Sequence, residues 1–178
     1  MTIPNLITIL RIILVPIFVI YMISDRTLGA LIIFIVASIS DVLDGFIAKV
    51  FHQKSNLGTH LDPLADKILL MTAYITLAVL KMLPSWLAVL TISRDVIILL
   101  GVLILYLNGN PVKINPSRLS KATTVIQAAT ILIVLSHGYL NIEFVRIYAF
   151  WLVALLTIAS GLQYIRIGMV ILSQGGQQ

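Results

Sequence analysis

An all-α integral membrane protein with six transmembrane helices is the fold this sequence predicts, and three observations predict it. Of the 178 residues, 60% are hydrophobic and 11% charged, against about 25% charged in an average soluble domain. The mean hydropathy is +1.07. Six apolar segments are each long enough to span a bilayer, which takes about 20 residues of helix.

The first segment covers roughly residues 6–23, after a short interfacial stretch Thr2-Ile3-Pro4-Asn5, and Pro16 inside it is a kink point. The second covers roughly 28–51 and carries Asp41 and Asp44 in its lower half. The third covers roughly 62–82 and opens on Asp62 and Asp66. The fourth, fifth and sixth cover roughly 85–107, 118–137 and 144–172. Pro84 and Pro116 stand where helices start or stop. No internal repeat and no linker interrupts the chain, so residues 1–178 are expected to form one domain. Arg11 sits inside the first apolar run and no small-residue cleavage site follows, so this run reads as a retained span.

Charge fixes the expected orientation. Lys49 and Lys54, with His52 and His60, fall between the second and third segments; Lys113, Arg118 and Lys121 fall between the fourth and fifth. The opposite loops hold Arg26, Lys81 and Arg146, offset by Asp25 and Glu143. The richer basic side faces the cytoplasm, which places both termini and all four aspartates on that side. A net charge of +5 suits anionic headgroups. Nucleic acid is not an expected partner, because no basic tract or aromatic platform lies outside the apolar segments. With no cysteine, disulfides, thiol catalysis and thiolate metal sites are excluded.

Four of the seven acidic residues lie between positions 41 and 66. A carboxylate in an apolar span is costly and by default functional. Asp41 and Asp44 are three apart and share a helix face; Asp62 and Asp66 are four apart and do the same. A short loop joins the two helices, so both pairs sit at one depth and converge. Such a cage suits two Mg²⁺ or Mn²⁺ ions, hard cations that prefer carboxylate and phosphate oxygen, and two ions clamp both ends of an in-line displacement at phosphorus. Gly45 and Ala48 keep one face clear for a substrate, whereas Gly58 reads as a turn residue. The plain alternative is that the aspartates cap helices or pair with Lys49 and Lys67. Capping suits Asp62, which precedes Pro63, but not Asp41 and Asp44 within an apolar helix.

The stretch Asp41-x-x-Asp44-Gly45-x-x-Ala48-Lys49, eight residues, then Gly58-x-x-x-Asp62-x-x-x-Asp66, resembles the signature of the CDP-alcohol phosphatidyltransferases. Lys49 departs from it, replacing an arginine and losing the planar fork of the guanidinium. The resemblance implies a six-helix fold with a cytoplasm-facing polar cavity, often a homodimer, in a bacterial inner membrane. It implies CDP-diacylglycerol as donor, with Asp41, Asp44, Asp62 and Asp66 as ligands of two divalent ions. It implies Asp66 as the base that deprotonates the acceptor hydroxyl. Asp41, Gly45, Ala48, Lys49 and Gly58 match the positions around the CDP moiety.

The opening Ile3-Pro4-Asn5 to Arg11 and the run Leu61 to Lys67 resemble two branches of that family, the phosphatidylglycerophosphate synthases and the CDP-diacylglycerol-dependent cardiolipin synthases. The first branch implies glycerol 3-phosphate as acceptor, with phosphatidylglycerophosphate and CMP as products; the second implies phosphatidylglycerol. Glycerol 3-phosphate is placed first. Its phosphate calls for cations, and Arg94, Arg118 and Lys121 are the candidates; the alternatives are that Arg94 pairs with Asp95 and that the other two only set topology. Ser93-Arg94-Asp95 and Ser120-Lys121 look closer to the cardiolipin synthase branch.

Arg11 either contacts a phosphate or, as the preferred reading, snorkels to the interface; Gln127 and Gln163 read as interhelical hydrogen-bonders, and Trp86, Tyr139, Tyr148 and Trp151 as an interfacial aromatic belt. A cation transporter is the rival of another class, but transporters place their carboxylates near the midplane and show repeats. A structural membrane protein would need neither four carboxylates nor a bare glycine.

Overall fold

Each apolar run becomes a helix. The computed structural model describes residues 3–51, 56–107, 117–137 and 143–175, with side chains described over 8–40, 67–101, 104, 117–137 and 143–169. The helices are α1 (Ile3–Ile23), α2 (Thr27–Phe51), α3 (Asn56–Val79), α4 (Ser85–Leu107), α5 (Arg118–Ser136) and α6 (Glu143–Gly175). Among the described residues there is no strand.

Two helices begin earlier than hydropathy indicates. α1 takes in Pro4 and Asn5, which a first helical turn tolerates because its N–H groups have no intrahelical acceptor. α3 begins at Asn56, six residues ahead of Asp62. Asp62 is therefore no N-terminal cap and Gly58 no turn residue; both lie inside the helix. Hydropathy marks where a chain is apolar, and the backbone here stays helical through the mostly polar stretch Asn56 to His60.

α1 packs against both α2 and α3, while α6 packs against both α4 and α5; α2 with α5, and α3 with α4, join the two groups. Phe18 of α1 and Phe34 of α2 meet with ring centroids 6.0 Å apart. Across the α1–α2 turn, where Asp25 takes φ 60°, the Tyr21 ring lies over Gly29, and a Cβ there would overlap ring atoms Cδ1 and Cε1. Glycine is what lets the two helices close.

The distribution of polarity is inverted relative to a soluble protein. Phe144 is 79% exposed and Val79 73%, whereas Arg11 and Ser160 are fully buried. Segments Arg118–Ser136 and Glu143–Met169 are long and apolar enough to cross a membrane by length and composition. α5 buries a polar stripe of Ser120, Thr123, Gln127 and Thr130. Its threonine hydroxyls find acceptors in their own helix: Thr123 Oγ1 donates to the Leu119 carbonyl and Thr130 Oγ1 to that of Ile126, each at 2.8 Å. Gln127 Nε2 donates to Thr157 Oγ1 of α6 at 3.3 Å, and Ser117 Oγ bonds Gln163 Oε1 at 3.0 Å. Both glutamines thus link helices, as their place in apolar segments predicts. An apolar outside over a hydrogen-bonded polar inside is the pattern of a membrane protein.

Candidate active site

Helix register sets the aspartates at one height. Asp41 and Asp44 lie ten and seven residues before the end of α2 at Phe51; Asp62 and Asp66 lie six and ten residues after the start of α3 at Asn56. At 1.5 Å per residue, all four are about 9–15 Å from the same end of the bundle. Their side chains, with those of Ala48 and Lys49, lie outside the described residues. The backbone nevertheless removes the capping explanation for Asp62 and puts both pairs on helices that share α1 as neighbour. Carboxylate oxygens, the donors these residue types offer, fit a hard divalent cation and suit no soft metal.

Arg11 belongs to this level. It lies eight residues into α1, about 12 Å from the same end by helical rise. Its side chain is fully buried and partnered, so it does not snorkel. A guanidinium on the helix shared by both aspartate-bearing helices is the residue that sequence reasoning undervalued. Counting its depth against the aspartates would have found it.

The best-defined polar cluster begins one residue beyond Asp66. Lys67 Nζ of α3 donates to Asp95 Oδ1 of α4, and Arg94 Nη1 donates to the same oxygen at 2.6 Å. Arg94 Nη2 donates to Ser120 Oγ of α5 at 2.6 Å and to Ser160 Oγ of α6 at 2.8 Å. The Arg94 guanidinium carbon lies 5.9 Å from the centroid of the Tyr164 ring. Arg94 is 3% exposed and Asp95 5%, while Lys67 keeps 34% of its side chain open. Four helices are therefore tied to one carboxylate and one guanidinium.

The Arg94–Asp95 pair forms although neighbouring helical side chains diverge at Cβ. The arginine is long enough to turn back, and an unpaired charge at this burial is costlier than the bend. Lys67, weighed from sequence as a partner of the four aspartates, is bonded to Asp95 instead.

The other two candidate cations are placed differently. Ser117 caps α5, its Oγ accepting from the Ser120 N–H at 3.1 Å, and Arg118 and Lys121 occupy the first turn on the exposed side. Arg94 reaches the buried side of the same turn. The structure thus separates the three: Arg94 gives its terminal N–H groups to protein partners, while Arg118 and Lys121 stay open.

Residues 1–160 match the family described as CDP-alcohol phosphatidyltransferase. The chain is 34% identical to a Bacillus subtilis CDP-diacylglycerol–glycerol-3-phosphate 3-phosphatidyltransferase, over 90% of this chain and 92% of that one. It is also 34% identical to a Schizosaccharomyces pombe cardiolipin synthase (CMP-forming)/mitochondrial hydrolase fusion protein, over 92% of this chain and 30% of the fusion. With a protein of Drosophila melanogaster described as a probable cardiolipin synthase (CMP-forming) it shares 37% identity, over 93% of this chain and 57% of that one. The aspartate motif, set at one level on α2 and α3 and lying within the matched region, agrees with these likenesses: the chain belongs to the CDP-alcohol phosphatidyltransferase family.

Proposed function

We propose that the protein transfers a phosphatidyl group from CDP-diacylglycerol to a hydroxyl of glycerol 3-phosphate, giving phosphatidylglycerophosphate and CMP. The observation that carries this reading is the full aspartate motif at a single level of two helices, in a chain that spans nearly the whole of a bacterial glycerol-3-phosphate phosphatidyltransferase. Asp41, Asp44, Asp62 and Asp66 would hold two Mg²⁺ or Mn²⁺ ions, which when bound offset charge on the pyrophosphate and on the departing CMP. Asp66 takes the proton from the acceptor hydroxyl. The acceptor oxygen bonds to the β-phosphorus, the bond from that phosphorus to the bridging oxygen breaks, and CMP leaves with the electron pair. Gly45, Ala48, Lys49 and Gly58, with Asp41, flank the CDP moiety. Arg118 and Lys121 receive the acceptor phosphate, and Arg94 supports them from beneath through Ser120. The six helices span a bacterial inner membrane with this site toward the cytoplasm, and the protein functions as a homodimer.

Cardiolipin synthesis, with phosphatidylglycerol as acceptor, is the second reading. The cardiolipin synthases among the relatives and the Ser93-Arg94-Asp95 run favour it. An acceptor panel separates the two. Purified protein receives CDP-diacylglycerol and Mg²⁺ with glycerol 3-phosphate, phosphatidylglycerol, inositol phosphate or serine in parallel, and CMP release is followed. Glycerol 3-phosphate is expected to give the fastest release. Faster release with phosphatidylglycerol would establish the second reading in its place.

A further inference from the structure

We propose a second phosphate-binding site at the opposite end of the bundle, taking the headgroup of an anionic phospholipid. A cavity of about 340 Å³ opens there between the α3–α4 turn and the start of α6, lined by Lys81, Met82, Pro84, Ser85, Arg146 and Phe150 among others. Lys81 lies fifteen residues beyond Asp66, about 22 Å along the helix direction, so this is not the candidate active site. Ligand cavities run from about 300 to 1,000 Å³; this one has room for a headgroup and not for acyl chains.

The lining carries two cations and no carboxylate. Arg146 shares one terminal nitrogen with Glu143 at 2.8 Å. Lys81 makes no ion pair among the described residues. Its backbone is unusual, with φ 58° at a position just past the end of α3 where glycine is the favoured residue. The turn is nonetheless tightly made: the Lys81 N–H donates to the Ala78 carbonyl at 3.1 Å, and those of Met82 and Leu83 to the Leu77 carbonyl at 2.9 and 3.2 Å. Leu83 and Phe150 anchor the walls in the core. A lysine accepted where glycine fits best, its backbone held by a hydrogen-bonded turn, brings a second cation to the cavity that Arg146 lines. Lysine could serve instead to cap the α3 carbonyls, but that leaves Arg146 and the cavity without a role.

A lipid fits better than a free anion because of what borders the cavity. Trp86, adjacent to Ser85, packs against Trp151 with ring centroids 5.9 Å apart. Trp86, Trp151, Tyr148 and Val79 expose 48%, 62%, 73% and 73% of their surface. Inorganic phosphate would satisfy the cations and leave this surface bare, whereas a phospholipid covers both. The site does not depend on the reaction proposed above.

Trp86 and Trp151 are the two tryptophans of the chain, so their emission reports lipid bordering the cavity. Full-length protein in phosphatidylcholine vesicles is titrated with dibrominated phosphatidylglycerol, which quenches tryptophan. Quenching is expected to saturate at a low phosphatidylglycerol fraction, showing a preference of about ten-fold or more over brominated phosphatidylcholine, from two cations near the surface. Lys81→Gln with Arg146→Gln should abolish the preference and leave CMP release unchanged. Lys81→Arg with Arg146→Lys should keep the preference, which also guards against misfolding of the first variant. Equal quenching by the two lipids in the wild type, an unchanged preference in the Gln variant, or relief of quenching by inorganic phosphate would each overturn the proposal.

Discussion

Asp66→Asn is expected to lower CMP release from CDP-diacylglycerol by about a thousand-fold or more while the protein still folds. Asparagine matches aspartate in size but neither accepts the acceptor proton nor brings a charge to a divalent ion. Loss of a positioned base alone costs about 10²–10⁴ in rate, and weakened ion binding adds to that. Folding should survive, because the position lies in the helix interior of α3 and an uncharged amide is cheaper to hold there than a carboxylate. The checks are steady-state CMP release and the thermal unfolding midpoint in one detergent. Near-normal release with an intact midpoint would exclude Asp66 as the base.

Arg94→Ala should produce the largest loss of stability of any single substitution among the described residues. The side chain is 3% exposed and links Asp95, Ser120 and Ser160 on three helices. Its removal leaves Asp95 buried with Lys67 as its one described cation and opens a void between α4, α5 and α6. Breaking a buried ion pair from one side costs about 3–5 kcal/mol, a large part of the stability of a domain this size. Arg94→Met combined with Asp95→Leu should recover most of it, since an apolar replacement of both partners removes the stranded charge. Thermal unfolding of the three proteins decides it. An Arg94→Ala protein as stable as the parent, or a double variant no better than the single, would show that the cluster does not tie the bundle.

Much of this fold is legible in hydropathy, because a membrane span must satisfy its backbone internally and be apolar outside. α4 starts directly after Pro84 as expected. The misread positions share one cause. The mostly polar stretch Asn56 to His60 reads as a loop, which starts the third helix near Asp62, leaves capping open as an alternative for that residue and makes Gly58 a turn residue, whereas the helix runs on through them. At the candidate site, residue types and spacing reveal the aspartates, since few other uses exist for carboxylates at helical spacing in an apolar segment. Partner choice across helices stays hidden. Lys67 and Asp95 are 28 residues apart, and only helix packing brings them together. Arg11 gives the same lesson: a long cation in an apolar run reads as snorkelling until the neighbouring helices close over it.

The most direct test of the central claim counts the ions. Mn²⁺ titrated into the purified protein and followed by electron paramagnetic resonance should reach two ions per chain, with a spectrum broadened by coupling between ions about 3.5–4 Å apart. Asp44→Asn should lose that coupled signal. A chain that binds no Mn²⁺ tightly, or binds isolated ions with uncoupled spectra, would contradict a shared cage built by α2 and α3.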